Sequence, residues 1–282
     1  MTEEKRSKIK WRFKSQDKLE LFAHAFPPEE EPKAVVCIVH GHGEHVERYE
    51  HVAHAFNEAG YAVIGYDHRG HGQSDGPRGH IPSYDLLLDD LTRFRLEVKD
   101  YYPNIPHFVF GHSMGGNIVL NYMLREKPEL AGVIVTGPWL KLAFEPPAVQ
   151  VFLGRMMNKI APGFTQESGL DTSALARDPD VVRAYEEDNL IHGKVSARLM
   201  VEMMDSGNWA LENAKDFPLP LLLMHGGADQ ITSAEASKSF AEKAPQDKVT
   251  FKLWDGFYHE LHNEPEKEEV FKTMLEWMDS QI

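Results

Sequence analysis

The stretch HFVFGHSMGGNIVLNYML, residues 107–124, constrains this chain more than any other. A short apolar run, as of a buried strand, meets a helical run with only Gly111-His112-Ser113-Met114-Gly115 between them. So abrupt a change from strand to helix demands a sharp, strained turn with Ser113 at its apex, its hydroxyl lifted clear of the sheet. Glycines at 111 and 115 suit a point where strand and helix approach closely. Met114 heads the helix, so its N–H points to the same spot as the serine hydroxyl.

Such a turn belongs to a parallel sheet, and the rest of the chain supplies one. AVVCIVH, YAVIGYD, AGVIVTG, LPLLLMHGG and VTFKLWDG are continuous apolar runs, as expected of strands buried on both faces. KIKWRF and KLELFAHAF alternate with period two around SQD and read as a hairpin. Helical runs lie between the strands. Val52, Phe56 and Ala59 space one that stops at Gly60, and Ser83 is the expected N-cap of another that ends before Pro103. The alternation predicts an α/β fold with a mostly parallel central sheet flanked by helices.

From Trp139 to about Asp216 no strand signal appears. The expected organisation is a core over 1–138, a helical cap or lid inserted after the sixth strand over 139–216, and the second part of the core over 217–282. Val149, Phe152, Leu153, Met156, Met157 and Ile160 form one apolar helix face within the insertion. That face predicts a helix packed on the rest of the protein, or a lid that lines an acyl-chain tunnel or touches a membrane surface.

A net charge of −14 over 282 residues leaves no cationic surplus for a nucleic-acid backbone. The single cysteine, Cys37, sits inside an apolar run, reads as a buried small side chain and fits a reducing compartment. MTEEKRSKIKW lacks the apolar centre of a signal peptide, and no run is long enough to span a membrane, so the expected location is cytoplasmic.

A serine becomes a nucleophile when a base takes its proton and a third group orients the base. Where a G-x-S-x-G elbow supplies the serine, the acid and then the histidine follow in chain order. Asp229, directly after LLLMHGGA, is the expected acid. His259, in DGFYHELHNEP, is the preferred base, with His262 of the same loop as the alternative base and Asp255 as the alternative acid. His225 stands where it could support the acid loop or be a plain buried histidine.

VVCIVHGHGEHVERY admits two readings. His40, His42 and His45 have a spacing that a zinc hydrolase could use. Equally, a buried strand ending in His-Gly-x-Gly upstream of an elbow is where the second oxyanion donor is found, which would pair the His42 N–H with that of Met114. Asp67, His68 and His71 of DHRGHGQSD form the only tempting second cluster for the metal reading, and the glycines of that stretch suit a loop as well. The oxyanion reading is preferred because it also employs Ser113.

With these residues in hand, HGHGEHVERY, DHRGHGQSDG, GHSMGG, LLLMHGGAD and YHELHNE together resemble the monoacylglycerol lipase family of α/β-hydrolases, which includes lysophospholipase-like serine hydrolases. The match runs in order from about Val35 to Pro265. It implies a Ser113–Asp229–His259 triad, an oxyanion hole of the His42 and Met114 amides, no cofactor, and hydrolysis of monoacylglycerols to fatty acid and glycerol. The alternative activity is that of a lysophospholipase or short-chain carboxylesterase with the same triad. The resemblance further implies that Glu44, Arg48, Tyr185 and His262 bind the glycerol end of the substrate. Glu44 and Arg48 would also serve as an ion pair stiffening their loop, and Tyr185 as cap packing. The implied partner is a small lipid ester, with transient membrane contact through the cap and no obligate protein partner.

Overall fold

The computed structural model describes residues 9–282; the first eight residues of the N-terminal stretch read for a signal segment, with Lys8 of the first expected strand among them, lie outside the described residues. The sheet begins with β1 (Lys10–Lys14), β2 (Glu20–Phe26), β3 (Ala34–Val39) and β4 (Tyr61–Tyr66). It continues with β5 (His107–His112), β6 (Gly132–Thr136), β9 (Leu221–Gly226) and β10 (Val249–Trp254). Their spatial order is β1-β2-β4-β3-β5-β6-β9-β10. The β1–β2 and β2–β4 pairs are antiparallel, and the six strands from β4 to β10 run parallel.

The strand sequences explain the layering. Successive side chains of a strand point to opposite faces, so a strand covered on both sides must be apolar at every position. In β3, Val35, Cys37 and Val39 join one core cluster, while Ala34, Val36 and Ile38 join the other. Helices α1 (Glu50–Glu58) and α8 (Lys267–Asp279) cover the second face; α2 (Asp85–Tyr101), α3 (Met114–Glu126) and α7 (Ala234–Lys243) cover the first. Cys37 is fully buried, and burial pushes its thiol up to about 12. Gly60 ends the α1 turn at φ 82°, as its sequence position predicts. Ser83 does not cap α2; Tyr84 occupies that position without a side-chain cap, and its hydroxyl instead donates to Asn117 Oδ1 at 2.7 Å.

Between β6 and β9 the chain forms α4 (Ala148–Ile160), α5 (Pro179–Glu187) and α6 (Ala197–Asn213). It also forms a small antiparallel pair, β7 (Thr165–Glu167) with β8 (Lys194–Ser196), which the sequence reading did not foresee. Three-residue strands carry too little pattern to be seen. The apolar face of α4 is also not where simple packing would put it. Val149, Phe152, Leu153, Met156 and Ile160 are 42–73% exposed. By contrast α6 is tied to α3: Ser206 Oγ donates to Asn117 Oδ1 at 2.9 Å, and Asn121 Nδ2 donates to Ser206 O at 3.2 Å. Among the described residues no helix is long and apolar enough to cross a membrane.

Register brings the functional segments to one edge. Val39 pairs with Gly111, His112 with Thr136, and Thr136 with Met224, so the parallel strands end nearly level. The loops leaving those ends emerge together, at the edge where open α/β sheets bind ligands. Contact is very close at Gly115, where a Cβ would lie 2.0 Å from Val39 O. Gly154 in α4 has nothing within 4 Å of the same position. Gly115→Ala should therefore destabilise the protein by about 1–3 kcal/mol in urea unfolding. Gly154→Ala should stabilise it by about 0.5–1 kcal/mol. A neutral Gly115→Ala would contradict this packing.

Candidate active site

Ser113 occupies φ 53°, ψ −116°, a conformation that L-residues rarely adopt and that costs on the order of 1–3 kcal/mol. The surroundings hold it there. Its N–H donates to Thr136 O at 3.0 Å, and its carbonyl accepts from Asn117 N and Trp139 N, both at 3.0 Å. The bend follows from the glycines on either side: a Cβ on Gly111 would meet Gly115 O at 2.8 Å, and any Cβ at 115 would collide with β3. Met114 opens α3, so its amide is one of the first-turn N–H groups that a helix leaves without an internal acceptor.

Asp229 and His259 leave the ends of β9 and β10 and meet. His259 Nδ1 lies 2.7 Å from Asp229 Oδ2. Asp229 Oδ1 accepts from the amides of Ile231 at 2.8 Å and Thr232 at 3.0 Å. Its Oδ2 also accepts from Thr232 Oγ1 at 2.9 Å and lies 3.0 Å from His225 Nε2. Burial opposes the Asp229 charge, but the neighbouring His259 and the hydrogen bonds from His225 and His259 win, and the carboxyl sits well below the usual range. Burial likewise disfavours a charged His259, yet Asp229, then Glu260 and Glu44, raise it above an ordinary histidine. Asp255 is exposed in its loop and makes no part of this arrangement. His262, the alternative base, is fully buried and stacks on Tyr49 at 4.8 Å between ring centroids.

The glycine turn after β3 packs directly on the elbow. A Cβ on Gly41 would lie 3.3 Å from Ser113 Cβ, and Gly43 takes φ 80°. Gly41 N donates to Glu44 Oε1 at 2.5 Å, and Gly43 O accepts from His192 N at 3.0 Å, which ties the turn to the segment after α5. The three histidines of this turn do not converge. His40 Nδ1 donates to Gly41 O at 2.8 Å and its Nε2 accepts from the His68 N–H at 2.9 Å. His42 Nδ1 lies 3.4 Å from His71 Nε2, whereas His45 Nε2 pairs with Asp188 at 2.8 Å. Among the described residues no group of three or more His, Cys, Asp or Glu side chains is arranged to hold a metal ion.

Ser113, His259, Gly41 and His42 line one cavity of about 270 Å³. Leu142, Phe144, Leu175, Met200 and Ile231 form apolar wall, and Leu142, Phe144, Ser168 and Met200 also line an adjoining groove of about 480 Å³ beneath α4. The polar wall is formed by Glu44, His112, Tyr185 and Glu260. Of the four residues expected at a glycerol end, Glu44 and Tyr185 lie on the cavity wall; Arg48 and His262 are not among its lining residues. Arg48 instead sits behind, bidentate to Glu260 at 2.8 Å for both bonds, paired with Glu44, and 4.9 Å from the Tyr185 ring centroid. The ion pair is thus a triad of charges, and Glu260, its third member, was not singled out in the sequence. Its only signal there is a carboxylate directly after the histidine. His112 likewise carries no distinguishing signal in the sequence; burial, with His259 4.7 Å away, depresses it to about 3, so it is neutral.

The Glu44–Arg48–Glu260 cluster generates a prediction. Arg48 is only 10% exposed and each glutamate 3%, so removing the cation leaves two buried carboxylates uncompensated. Arg48→Met should destabilise the fold by about 3–5 kcal/mol near neutral pH. The stranded carboxyls would titrate above their unfolded values, so the deficit should shrink as pH falls and they take up protons. A deficit that is small, or that grows on acidification, would contradict the assigned charges.

Comparison with known proteins adds a lineage. The family model described as Hydrolase_4, serine aminopeptidase S33, matches residues 30–266. An uncharacterized abhydrolase domain-containing protein of Dictyostelium discoideum is 38% identical over 95% of this chain, which spans 28% of that protein. A monoacylglycerol lipase of Mycolicibacterium smegmatis is 34% identical over 90% of this chain and 91% of its own length. The crystal structure of Paleococcus ferrophilus monoacylglycerol lipase is 33% identical, with a TM-score of 0.85, over 93% of this chain and all of that one.

Proposed function

The chain belongs to the Hydrolase_4 family and has the α/β-hydrolase fold, and from that premise we propose that it hydrolyses the carboxylic ester of monoacylglycerols to fatty acid and glycerol. The observation that carries the reading is one cavity lined by a backbone-strained serine and by the histidine of a buried His–Asp pair, with an apolar wall on one side and carboxylates on another.

In this reading Ser113 Oγ attacks the ester carbonyl while His259 accepts its proton. The negative charge that develops on the carbonyl oxygen is held by the amides of His42 and Met114, each such donor being worth about 3–4 kcal/mol in the transition state. His259 then protonates the departing glycerol oxygen, leaving the acyl group on Ser113. Water then attacks the acyl carbon while giving a proton to His259, and the Ser113–acyl bond breaks as His259 returns that proton to Ser113 Oγ, releasing the fatty acid. Asp229 orients the imidazole and offsets its transient charge. The acyl chain lies along Leu142, Phe144 and Met200 toward the groove beneath α4. Residues 139–216 act as the cap, and the exposed apolar side chains of α4 meet the surface of a lipid phase, in a cytoplasmic enzyme that is peripheral to membrane.

At the alcohol end, Glu44 and Glu260 accept from the glycerol hydroxyls, Tyr185 closes that wall, and Arg48 and His262 act from behind by fixing the carboxylates and Tyr49. Two carboxylates balanced by a single guanidinium disfavour an anionic phosphodiester there, which ranks lysophospholipids below glycerides as substrates. The test compares hydrolysis of a monoacylglycerol, a lysophosphatidylcholine and a p-nitrophenyl ester by wild type and Ser113→Ala. The monoacylglycerol should be fastest, and the variant should lose on the order of 10⁶ in turnover. A fully active Ser113→Ala would overturn the mechanism; a lysophospholipid hydrolysed faster than the glyceride would overturn the substrate.

A further inference from the structure

Strand β9 alternates its side chains so that Leu221, Leu223 and His225 share the face covered by α7. The first two enter the apolar core, but His225 brings two ring nitrogens into the same fully buried layer. Both find partners. Nε2 lies 3.0 Å from Asp229 Oδ2 and 3.2 Å from Thr232 O, while Nδ1 lies 2.8 Å from Ser237 Oγ on α7. A carboxylate and a carbonyl can only accept, so Nε2 carries the proton; in the neutral ring Nδ1 then accepts from the Ser237 hydroxyl. Ser237 is itself fully buried.

The arrangement forms a line from Ser237 through His225 and Asp229 to His259. Without the far end, the carboxylate would be held by the Ile231 and Thr232 amides on Oδ1 and by Thr232 Oγ1 on Oδ2, and Thr232 Oγ1 is also 3.1 Å from Gly137 O, a competing acceptor. His225 does not line the cavity and so acts only through Asp229. We propose that His225 is a positioning residue for ester hydrolysis, its tautomer set by Ser237, and that its Nε2–H holds Asp229 Oδ2 in line with His259 Nδ1.

This rests on the Ser113–His259–Asp229 reading above. It has a signature that simple packing lacks. Taking this donor from Asp229 concentrates the carboxylate charge on His259, favours the imidazolium and moves the acid limb of the rate profile to higher pH. The titratable groups acting on His259 in that profile are Asp229, Glu260, Glu44 and His112; those acting on Asp229 are His259 and His225.

The experiment measures kcat and KM against pH for wild type, His225→Phe, His225→Gln, Ser237→Ala and Asp229→Asn with one ester, alongside thermal unfolding of each. The glutamine side-chain nitrogen can reach the place of Nε2 and restore the donor. His225→Phe should lower kcat about 10- to 100-fold with KM within about twofold, as for a displaced catalytic group. Its acid limb should rise by about half a pH unit. His225→Gln should return kcat to within about threefold of wild type with the limb unshifted, and Ser237→Ala should fall between. A folded His225→Phe with wild-type kcat and limb, beside an inactive Asp229→Asn, would overturn this inference alone. Should His225→Phe fail to fold, a Ser237→Ala enzyme of wild-type kcat and limb would do the same. An active Asp229→Asn would remove the triad reading and this inference with it.

Discussion

Everything at the functional edge depends on keeping Ser113 at a positive φ. The strain there is comparable to one or two hydrogen bonds, so no single contact could be relied on to hold it. Three backbone bonds from separate parts of the chain do so together, with acceptors or donors in β6, in α3 and at Trp139. The absent side chains at 111 and 115 let β3, β5 and α3 close to a distance that any Cβ would forbid. The Gly41 turn then rests on Ser113 itself. The sheet, the elbow helix and the turn after β3 are in that sense one object, and a shift in any of them would be felt by the other two.

The second organising element is the distribution of buried charge. Asp229 is surrounded by donors on both oxygens, which keeps it ionised in spite of its burial. Across the cavity, Glu44 and Glu260 share one guanidinium. Burial pushes the Glu44 carboxyl up, while Arg48 holds that of Glu260 down against the same effect. Both carboxylates add to the field of Asp229 at His259, favouring its protonated form. Segments between β6 and β9 complete this environment rather than merely covering it. Tyr185 lies over Arg48, His192 holds the Gly43 carbonyl, and Asp188 holds His45.

Much of this was legible in the sequence because it is local. Unbroken apolar runs named the parallel strands, glycine spacing named the elbow, and chain order named Asp229 and His259, which the fold brings to 2.7 Å. What the sequence hid depends on distant neighbours. The apolar stripe of α4 has the period of a packed helix, yet five of its residues face outward, and periodicity does not say what lies opposite. Ser83 has the chemistry of a cap but is displaced by Tyr84, which is drawn inward by Asn117. Arg48 matches a polar-recognition pattern, but its position between two glutamates from far-apart segments puts it behind the cavity wall. Glu260 went unnoticed because only the folded chain places it beside Arg48.

The central claim is that Ser113 is the atom source for the covalent step, and locating the site of covalent modification tests it most directly. The protein would be titrated with a fluorophosphonate, residual monoacylglycerol hydrolysis followed, and the adduct mapped by peptide mass spectrometry. The account predicts a single adduct on Ser113, with activity lost in proportion to its occupancy. An adduct elsewhere that abolishes hydrolysis, or full hydrolysis with Ser113 fully labelled, would contradict it.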